Sequence, residues 1–408
     1  MPVNLRPPGP DDGLVISGIR LAAVNAGIKD NEKADLVLVE LATGSSVSAV
    51  FTQNAFCAAP VIIAKQHHTE SSPRYLLINA GNANAGTGEQ GLAAAKVCCQ
   101  SVVETAGVLT TSVLPFSTGV IGQTLPVEKI TAMIPDLYQS LSADNWLQAA
   151  HAIMTTDTVA KLLSKQIELA GKTITITGMA KGSGMIRPDM ATMLAYIATD
   201  AAVDQVTLDT MLQHVVEQSF NRITVDGDTS TNDACVLIAT GHADNDVIND
   251  INSDYGQQLL LAITELCQTL AQAVIRDGEG ATKFIEIDVK QGRHKEECRH
   301  VAYTIAHSPL IKTAFFASDP NWGRILAAVG RSGLTEFDLT KVDIFLGDVC
   351  IIRGGEPAAD YTEAAGQKVM DETEITITVS LDRGQESDKV WTCDFSYDYV
   401  RINAEYRS

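Results

Sequence analysis

The sequence predicts an α/β protein, and its pattern of apolar residues is the main reason. Short apolar runs alternate with longer amphipathic or alanine-rich segments along the 408 residues, as expected where strands alternate with helices. The chain contains 45% hydrophobic and 20% charged residues, which is the composition of an ordinary globular protein. A chain of this length buries roughly 75% of its unfolded surface, so its core requires no disulfide or structural metal.

Each element follows from its local pattern. Compact apolar runs predict strands over residues 35–41, 46–51, 75–79, 112–116, 172–179 and 192–198. Longer amphipathic or alanine-rich segments predict helices over residues 89–106, 127–137, 144–154, 207–220 and 257–275. After a polar stretch at 291–300, the pattern predicts a helix through Ser308, a helix over 322–331, and strands over 342–352, 374–381 and 390–397. We therefore expect a core domain of residues 1–290 and a smaller C-terminal α/β domain of residues 291–408.

Charge and cysteine usage exclude several classes of partner. Fifty acidic and thirty basic side chains give a net charge of −20, which repels nucleic acid and anionic membrane surfaces. We find no apolar run near the roughly 18 residues that a membrane span needs, and residues 1–13 lack the pattern of a secretory signal. The eight cysteines include no C-x-x-C pair, so zinc-ribbon and thioredoxin sites are excluded. We expect a soluble, cytoplasmic protein.

Three motifs that suggest a bound ligand fail in detail. GNANAGTG at 81–88 and GEGATK at 278–283 are glycine-rich, but neither has the spacing of a phosphate-binding loop, so both are interpreted as turns. Asp226 to Asn232 imitates the start of a calcium loop. However, Thr231 replaces its glycine and Leu237 its final glutamate.

The segment 181–202, KGSGMIRPDMATMLAYIATDAA, carries distinctive chemistry. Two glycines and Pro188 predict a tight loop, which delivers Thr192 to the head of a buried strand. If that loop strains the peptide between Ala191 and Thr192, the threonine hydroxyl can attack it and form an ester that water cleaves. The new α-amine, with a pKa of about 7.7–8.0, then lies beside the hydroxyl as a general base. The alternative is an ordinary loop-to-strand junction.

Three other segments and the C-terminus occur in a characteristic order with this one: LPFSTGVIG at 114–122, IRDGEGATK at 275–283, DPNWGR at 319–324 and RINAEYRS at 401–408. Together they resemble the ornithine acetyltransferase family, the bifunctional glutamate N-acetyltransferases of cyclic arginine biosynthesis. The resemblance extends over essentially the whole chain, and segment 181–201 is similar to the family's cleavage and nucleophile segment.

This resemblance implies a self-processing α/β fold of layered sheets and helices. It implies cleavage between Ala191 and Thr192 into chains of residues 1–191 and 192–408, which assemble as an α2β2 heterotetramer. It also implies that the acetyl group of N-acetylornithine passes to Thr192 and then to glutamate. Some members take acetyl from acetyl-CoA instead, and no metal or bound organic cofactor is implied.

Residue roles follow from the same resemblance. Thr192 matches the nucleophile, while Thr118 and Gly119 match the donors of the oxyanion hole. The ordinary alternative for these two is a strand-to-helix turn. Lys181 matches a substrate ligand, and its ammonium could pair with the amino-acid carboxylate. Glu279 matches another and could meet a substrate amine. For these two charged residues, the alternatives are a solvated lysine and a charged turn.

Three further contacts are carried over from the family. Thr155 matches a substrate contact, although Thr156 beside it leaves the register open. Asn403 and Ser408 match contacts from the C-terminal tail. Many members end in threonine, so Ser408 differs from them but keeps the hydroxyl.

Two other functions remain open on the sequence. The first is a self-processing aminopeptidase or amidase of the same fold group, in which water accepts the acyl group. The second is a noncatalytic acidic binding protein, which would remain one intact chain.

Overall fold

The computed structural model describes residues 2–30, 32–187 and 193–405. The chain divides into two compact units. The larger comprises Arg6–Asn221 and Asp228–Val274, and the smaller comprises Met1–Leu5, Arg222–Gly227 and Ile275–Ser408. The expected domain boundary near residue 290 falls within a strand of the smaller unit, and the contacts place the start of its main segment at Ile275.

The larger unit alternates strands and helices, which confirms the predicted α/β class. Its strands are β1 (Ile19–Val24), β2 (Leu36–Leu41), β3 (Ser46–Phe51), β4 (Tyr75–Asn82), β5 (Val113–Val120), β6 (Lys161–Leu169), β7 (Lys172–Lys181), β8 (Leu194–Thr199) and β9 (Ala234–Ala239). Its helices are α1 (Ala59–Glu70), α2 (Gly88–Ala106), α3 (Val127–Gln139), α4 (Trp146–Ala152), α5 (Gln205–Gln218) and α6 (Asp254–Arg276).

Two sheets of the larger unit face each other across a common core. One has the order β1-β2-β4-β5 and the other β3-β9-β8-β7-β6. Alternate residues of β5 and β8 point into this core, where the rings of Phe116 and Tyr196 meet edge to face at 5.4 Å. Since side chains alternate along a strand, Thr118 continues the inward row of Leu114 and Phe116. The side chains of β5 that face the core therefore end at Thr118, one of the residues that match the family.

Helices cover the outer faces of these sheets. Helices α2 and α3 pack on the first sheet through a second apolar cluster, while α6 lies so close to β7 that a Cβ added at Gly178 would be 2.8 Å from Leu266. Helix α6 is long and apolar enough to cross a membrane by length and composition alone, but 67% of its most apolar window is buried in the folded chain. Such burial is typical of a core helix.

The smaller unit contains one six-stranded sheet with its own apolar core. Its strands are β10 (Phe284–Gly292), β11 (Asp343–Leu346), β12 (Val349–Arg353), β13 (Glu356–Pro357), β14 (Glu374–Ser380) and β15 (Glu386–Cys393). Its helices are α7 (Lys295–Ala306), α8 (Pro309–Phe316), α9 (Trp322–Gly330), α10 (Glu363–Met370) and α11 (Tyr397–Ala404).

Two strand predictions in this unit were wrong in part. The strand predicted over 342–352 is a hairpin, because a turn at Gly347, with φ +53°, joins β11 to β12. The strand predicted over 390–397 ends at Cys393, because Ser396 caps a new helix by accepting a hydrogen bond from the Asp398 N–H.

Candidate active site

The predicted oxyanion residues lie where the parallel strands β4 and β5 end together. A β-bulge there lets Asn82 pair with both Thr118 and Val120. Gly119 adopts φ +130°, and a Cβ added to it would lie 2.3 Å from the carbonyl carbon of Gly81. Only glycine fits this close approach of two backbones. Thr118 itself is 8% exposed, so its hydroxyl sits at the buried end of the inner row.

Lys181 meets Thr118 at this point. It is the last residue of β7, pairs with Leu194 at the start of β8, and is 9% exposed. Its Nζ donates a hydrogen bond to the Thr118 Oγ1 at 3.0 Å. The structure thus joins a predicted substrate ligand to a predicted oxyanion donor. Because the Thr118 oxygen accepts this bond, its own hydrogen stays available for another acceptor.

A buried carboxylate organises the backbone around Lys181. Asp157 accepts hydrogen bonds from the backbone N–H of Thr155 at 3.0 Å and of Gly182 at 2.7 Å. It also pairs with Lys161 at 2.5 Å, with both side chains fully buried. Burial alone would raise the pKa of Asp157, but the charges of Lys161 and Lys181 and these hydrogen bonds hold it well below its usual range. Asp157 therefore stays ionised. Its two hydrogen bonds connect the backbone at Thr155 to the backbone at Gly182, the residue after Lys181.

The two adjacent threonines have different surroundings. Thr156 Oγ1 lies 2.7 Å from the Oγ of the buried Ser183. Thr155 is fixed through its backbone N–H, and its side chain is half-buried. Thr155 as a substrate contact stays a prediction.

The other two described ligands lie together in the smaller unit. Asn403 on α11 donates from Nδ2 to the Oε2 of the buried Glu279 at 2.8 Å. Gly280, with φ +70°, lies so close to α11 that an added Cβ would be 2.5 Å from the Tyr399 nitrogen. Ser396 Oγ also donates to the Gly280 carbonyl at 2.6 Å. The contact between the GEGATK loop and the start of α11 thus keeps Glu279 and Asn403 within hydrogen-bond distance of each other.

The predicted cleavage site, Ala191 and Thr192, and the terminal Ser408 lie outside the described residues. Met193, which directly follows Thr192 in the chain, is described. Its carbonyl accepts a hydrogen bond from the Ala234 N–H at 3.0 Å.

Sequence patterns missed two buried side chains near the predicted oxyanion residues Thr118 and Gly119. Asn232 donates from Nδ2 to the carbonyls of Ala83 at 2.6 Å and Ser117 at 2.9 Å, so it braces the ends of β4 and β5. The Oδ2 of Asp233 is buried with no hydrogen-bond partner among the described residues, and burial raises the pKa of this carboxyl well above its usual value. In the sequence, Asn232 stands out only as part of the rejected calcium-loop pattern.

Side chains that commonly ligate metals are dispersed in the described part of the chain. Across residues 2–30, 32–187 and 193–405, no three His, Cys, Asp or Glu side chains come together in a way that could hold a metal ion.

Comparison with known proteins decides the family. A family model described as the ArgJ family matches residues 20–408. The chain is 54% identical over 393 residues to the arginine biosynthesis bifunctional protein ArgJ of Pseudomonas syringae pv. tomato, covering 96% of this chain and 97% of that protein. The chain belongs to the ArgJ family. This confirms the assignment made from the motifs.

Two solved structures of the family are also similar in sequence. The ArgJ protein of Bacillus halodurans is 39% identical, and the match covers 50% of this chain and 95% of that chain, with a TM-score of 0.48. The ornithine acetyltransferase of Mycobacterium tuberculosis, solved in complex with ornithine, is 34% identical. That match covers 44% of this chain and 96% of the solved chain, with a TM-score of 0.39.

Proposed function

We propose that this protein transfers the acetyl group of N-acetylornithine to glutamate through an acetyl ester on Thr192. The observation that carries the proposal is the hydrogen bond from Lys181 to Thr118, beside the backbone of Gly119. It places a buried cation on one of two candidate oxyanion donors. Membership of the ArgJ family supports this acetyl transfer over the aminopeptidase or amidase alternative.

The geometry suits the charge that develops in acyl transfer. A tetrahedral intermediate carries an oxyanion, which the Thr118 hydroxyl and the Gly119 N–H can meet. Lys181 polarises the Thr118 hydroxyl from behind, since an ammonium donor draws electron density from the oxygen that it contacts. Removing one such donor typically lowers kcat by about 10²–10³-fold, so this pair can contribute several kcal/mol to catalysis.

The proposal requires self-cleavage between Ala191 and Thr192. The products are chains of residues 1–191 and 192–408, which we propose assemble as an α2β2 heterotetramer in the cytoplasm. The freed α-amine of Thr192 then serves as the general base for its own hydroxyl. The mechanism uses only protein groups and requires no metal or bound organic cofactor.

Substrate recognition follows from the charges of the predicted ligands. Lys181 can bind the α-carboxylate that acetylornithine and glutamate share, with Thr155 beside it. In the smaller unit, Asn403 contacts the Oε2 of Glu279, so the carboxylate retains lone pairs for a substrate amine. Ser408 is the remaining proposed contact.

We also propose acetyl-CoA as a second acetyl donor. The relatives are named as bifunctional proteins, which fits an enzyme that accepts acetyl from two sources. An assay with each donor and glutamate tests this directly. Production of acetylglutamate from acetyl-CoA is the expected result, and its absence would limit the protein to acetylornithine.

The reaction order distinguishes the proposed mechanism from its alternatives. Double-reciprocal plots with varied acetylornithine and glutamate should be parallel, because ornithine leaves before glutamate binds. Acetylornithine alone should add one acetyl mass to the chain that begins at Thr192, and glutamate should remove it. Intersecting lines with no acetylated chain would refute the covalent intermediate. Hydrolysis of small peptides without glutamate-dependent transfer would favour the amidase, and an intact 408-residue species without activity would favour the binding protein.

A further inference from the structure

Lys29 lies between β1 and β2, where hydrogen bonds fix its backbone and its side chain. The buried carboxylate of Asp35 accepts hydrogen bonds from the backbone N–H groups of Ala26, Ile28 and Lys29 at 2.6–2.9 Å. The half-buried Lys29 side chain donates from Nζ to the carbonyl of Ala34 at 3.2 Å and to the carbonyl of Ala152 at 3.0 Å. An ammonium has three donors, so these two bonds leave one N–H for a ligand.

Elements that carry family-matched residues surround this lysine. A Cβ added at Gly81 would lie 3.0 Å from the Lys29 Cγ, so the stem of Lys29 crosses Gly81, whose backbone abuts Gly119. Ala152, which accepts from Lys29 Nζ, ends α4 three residues before Thr155. Lys29 therefore lies between the close approach of Gly81 and Gly119 on one side and the end of α4, which leads to Thr155, on the other.

Charge also connects Lys29 with the site. The ammonium of Lys181 and the carboxylate of Asp157 are both close enough to act on the Lys29 ammonium. Lys29 thus lies close to Lys181, for which we proposed the carboxylate that both amino-acid substrates share. Glutamate carries a second carboxylate, whereas acetylornithine carries an ammonium in the corresponding side chain. The charge of Lys29 matches the acceptor and opposes the donor.

We propose that Lys29 binds the side-chain carboxylate of the glutamate acceptor and thereby determines acceptor choice. This inference rests on the proposed function, because it names the ligand of a residue in the same site. A charge-assisted hydrogen bond from the free N–H of Lys29 is the specific contact.

The donor is tolerated because Lys29 can give up its proton. Burial lowers the pKa of Lys29 to about 8, and the charges of Lys181 and Lys33 act in the same direction. The carboxylates of Asp35 and Asp157 oppose the shift. When acetylornithine binds with its side-chain ammonium, Lys29 releases its proton to solvent. When glutamate binds, Lys29 takes up a proton from solvent.

The test compares glutamate with glutamine, its neutral isostere, as acetyl acceptors. In the wild-type protein, kcat/KM should favour glutamate by roughly 10–100-fold, the value of a hydrogen bond to a charged group. Lys29→Met should lower kcat/KM for glutamate by this factor and leave glutamine unchanged, so that the preference disappears. Lys29→Arg keeps the charge and should keep the preference.

Two controls separate ligand binding from structural support. Lys129→Met removes an exposed lysine of α3 that donates to Gly27 in the same loop, and it should leave the preference intact. Release of ornithine from acetylornithine, which measures the first half-reaction, should not slow in Lys29→Met. A Lys29→Met protein that loses both acceptors and the first half-reaction equally would overturn the proposal, because Lys29 would then only support the fold.

The wild-type protein provides a test that needs no folded variant. The preference for glutamate over glutamine should fall as the pH rises from about one unit below to about one unit above the Lys29 pKa of about 8. The α-carboxylate and reacting amine are common to both acceptors, so their titration largely cancels in the ratio. A constant ratio, or equal use of both acceptors by the wild type, would overturn the assignment and leave the proposed function standing. Transfer to no acceptor at all would refute the proposed function and the assignment with it.

Discussion

Replacing Thr118 by valine removes the hydroxyl that accepts a hydrogen bond from Lys181, while the side-chain shape is kept. Thr118 is 8% exposed and continues the inward apolar row of β5, so the two methyl groups of valine fit the same space. The variant thus isolates one hydroxyl, which accepts from Lys181 Nζ at 3.0 Å and is free to donate its own hydrogen.

Two losses of different kinds follow from this change. Loss of one oxyanion donor should lower kcat by roughly 10²–10³-fold, equivalent to about 2.7–4 kcal/mol, with a smaller change in KM. Loss of the bond from Lys181 should reduce the free energy of unfolding by about 1.5–3 kcal/mol, the usual value for a hydrogen bond to a charged group. Thr118→Ser keeps the hydroxyl and should retain most of both.

Steady-state kinetics with acetylornithine and glutamate, together with urea unfolding, measure the two effects separately. The kinetic assay must use fully cleaved protein, since uncut chain would lower kcat for another reason. A folded and cleaved Thr118→Val protein with wild-type kcat would remove Thr118 from the oxyanion hole. A fall in kcat that Thr118→Ser shares in full would likewise contradict the role of the hydroxyl.

Three further predictions address the backbone, the cleavage site and the buried ion pair. Gly119→Ala should abolish turnover and lower the free energy of unfolding by about 1–3 kcal/mol or more, because the new Cβ would lie 2.3 Å from the carbonyl carbon of Gly81. Gly44→Ala is the matched control, because Gly44 also has a positive φ, +91°, but an added Cβ has no atom within 4 Å. Thr192→Ala should remain one uncut chain on intact mass analysis and Thr192→Ser should cleave slowly, whereas a wild-type protein without a chain beginning at Thr192 would contradict self-cleavage. Asp157→Asn should lose about 3–5 kcal/mol in denaturant unfolding, because it removes the charge paired with the buried Lys161. The pKa of Asp157 is lowered in the folded state. The stability difference between wild type and Asp157→Asn should therefore persist above the ordinary carboxyl pKa of about 3.9 and shrink as the pH falls below it. A difference that stays constant in acid would refute the ionised state of Asp157.

The sequence predicted most of the helices and strands of the larger unit, but not the contacts between the side chains of the candidate active site. The motifs identified Thr118 and Lys181 separately. Their hydrogen bond joins residues 63 positions apart and depends on how two sheets pack, which local patterns do not encode. Lys29 had no motif at all, because a single lysine in a polar loop is ordinary until burial and neighbouring charges are known.

The ends of some strands, and the existence of one strand, likewise depend on partners that are distant in the sequence. Strand β4 was predicted to end at residue 79 but extends to Asn82, because the parallel partner β5 supplies hydrogen bonds across the bulge. Strand β9 was missed although all six of its residues are buried. Its place between β3 and β8 gives it two neighbours that are distant in the chain.

The order β3-β9-β8-β7-β6 determines what a cut before Thr192 does to the molecule. Residues 1–191 supply β3, β6 and β7, while residues 192–408 supply β8 and β9, so the two products interleave within one sheet. Ladders of six paired residues join β3 to β9 and β7 to β8 across the divide. If the chain is cut there, these ladders hold the two products together. We therefore expect refolding of the cut protein to be a bimolecular reaction whose rate depends on concentration, whereas the uncut Thr192→Ala chain should refold in a unimolecular reaction.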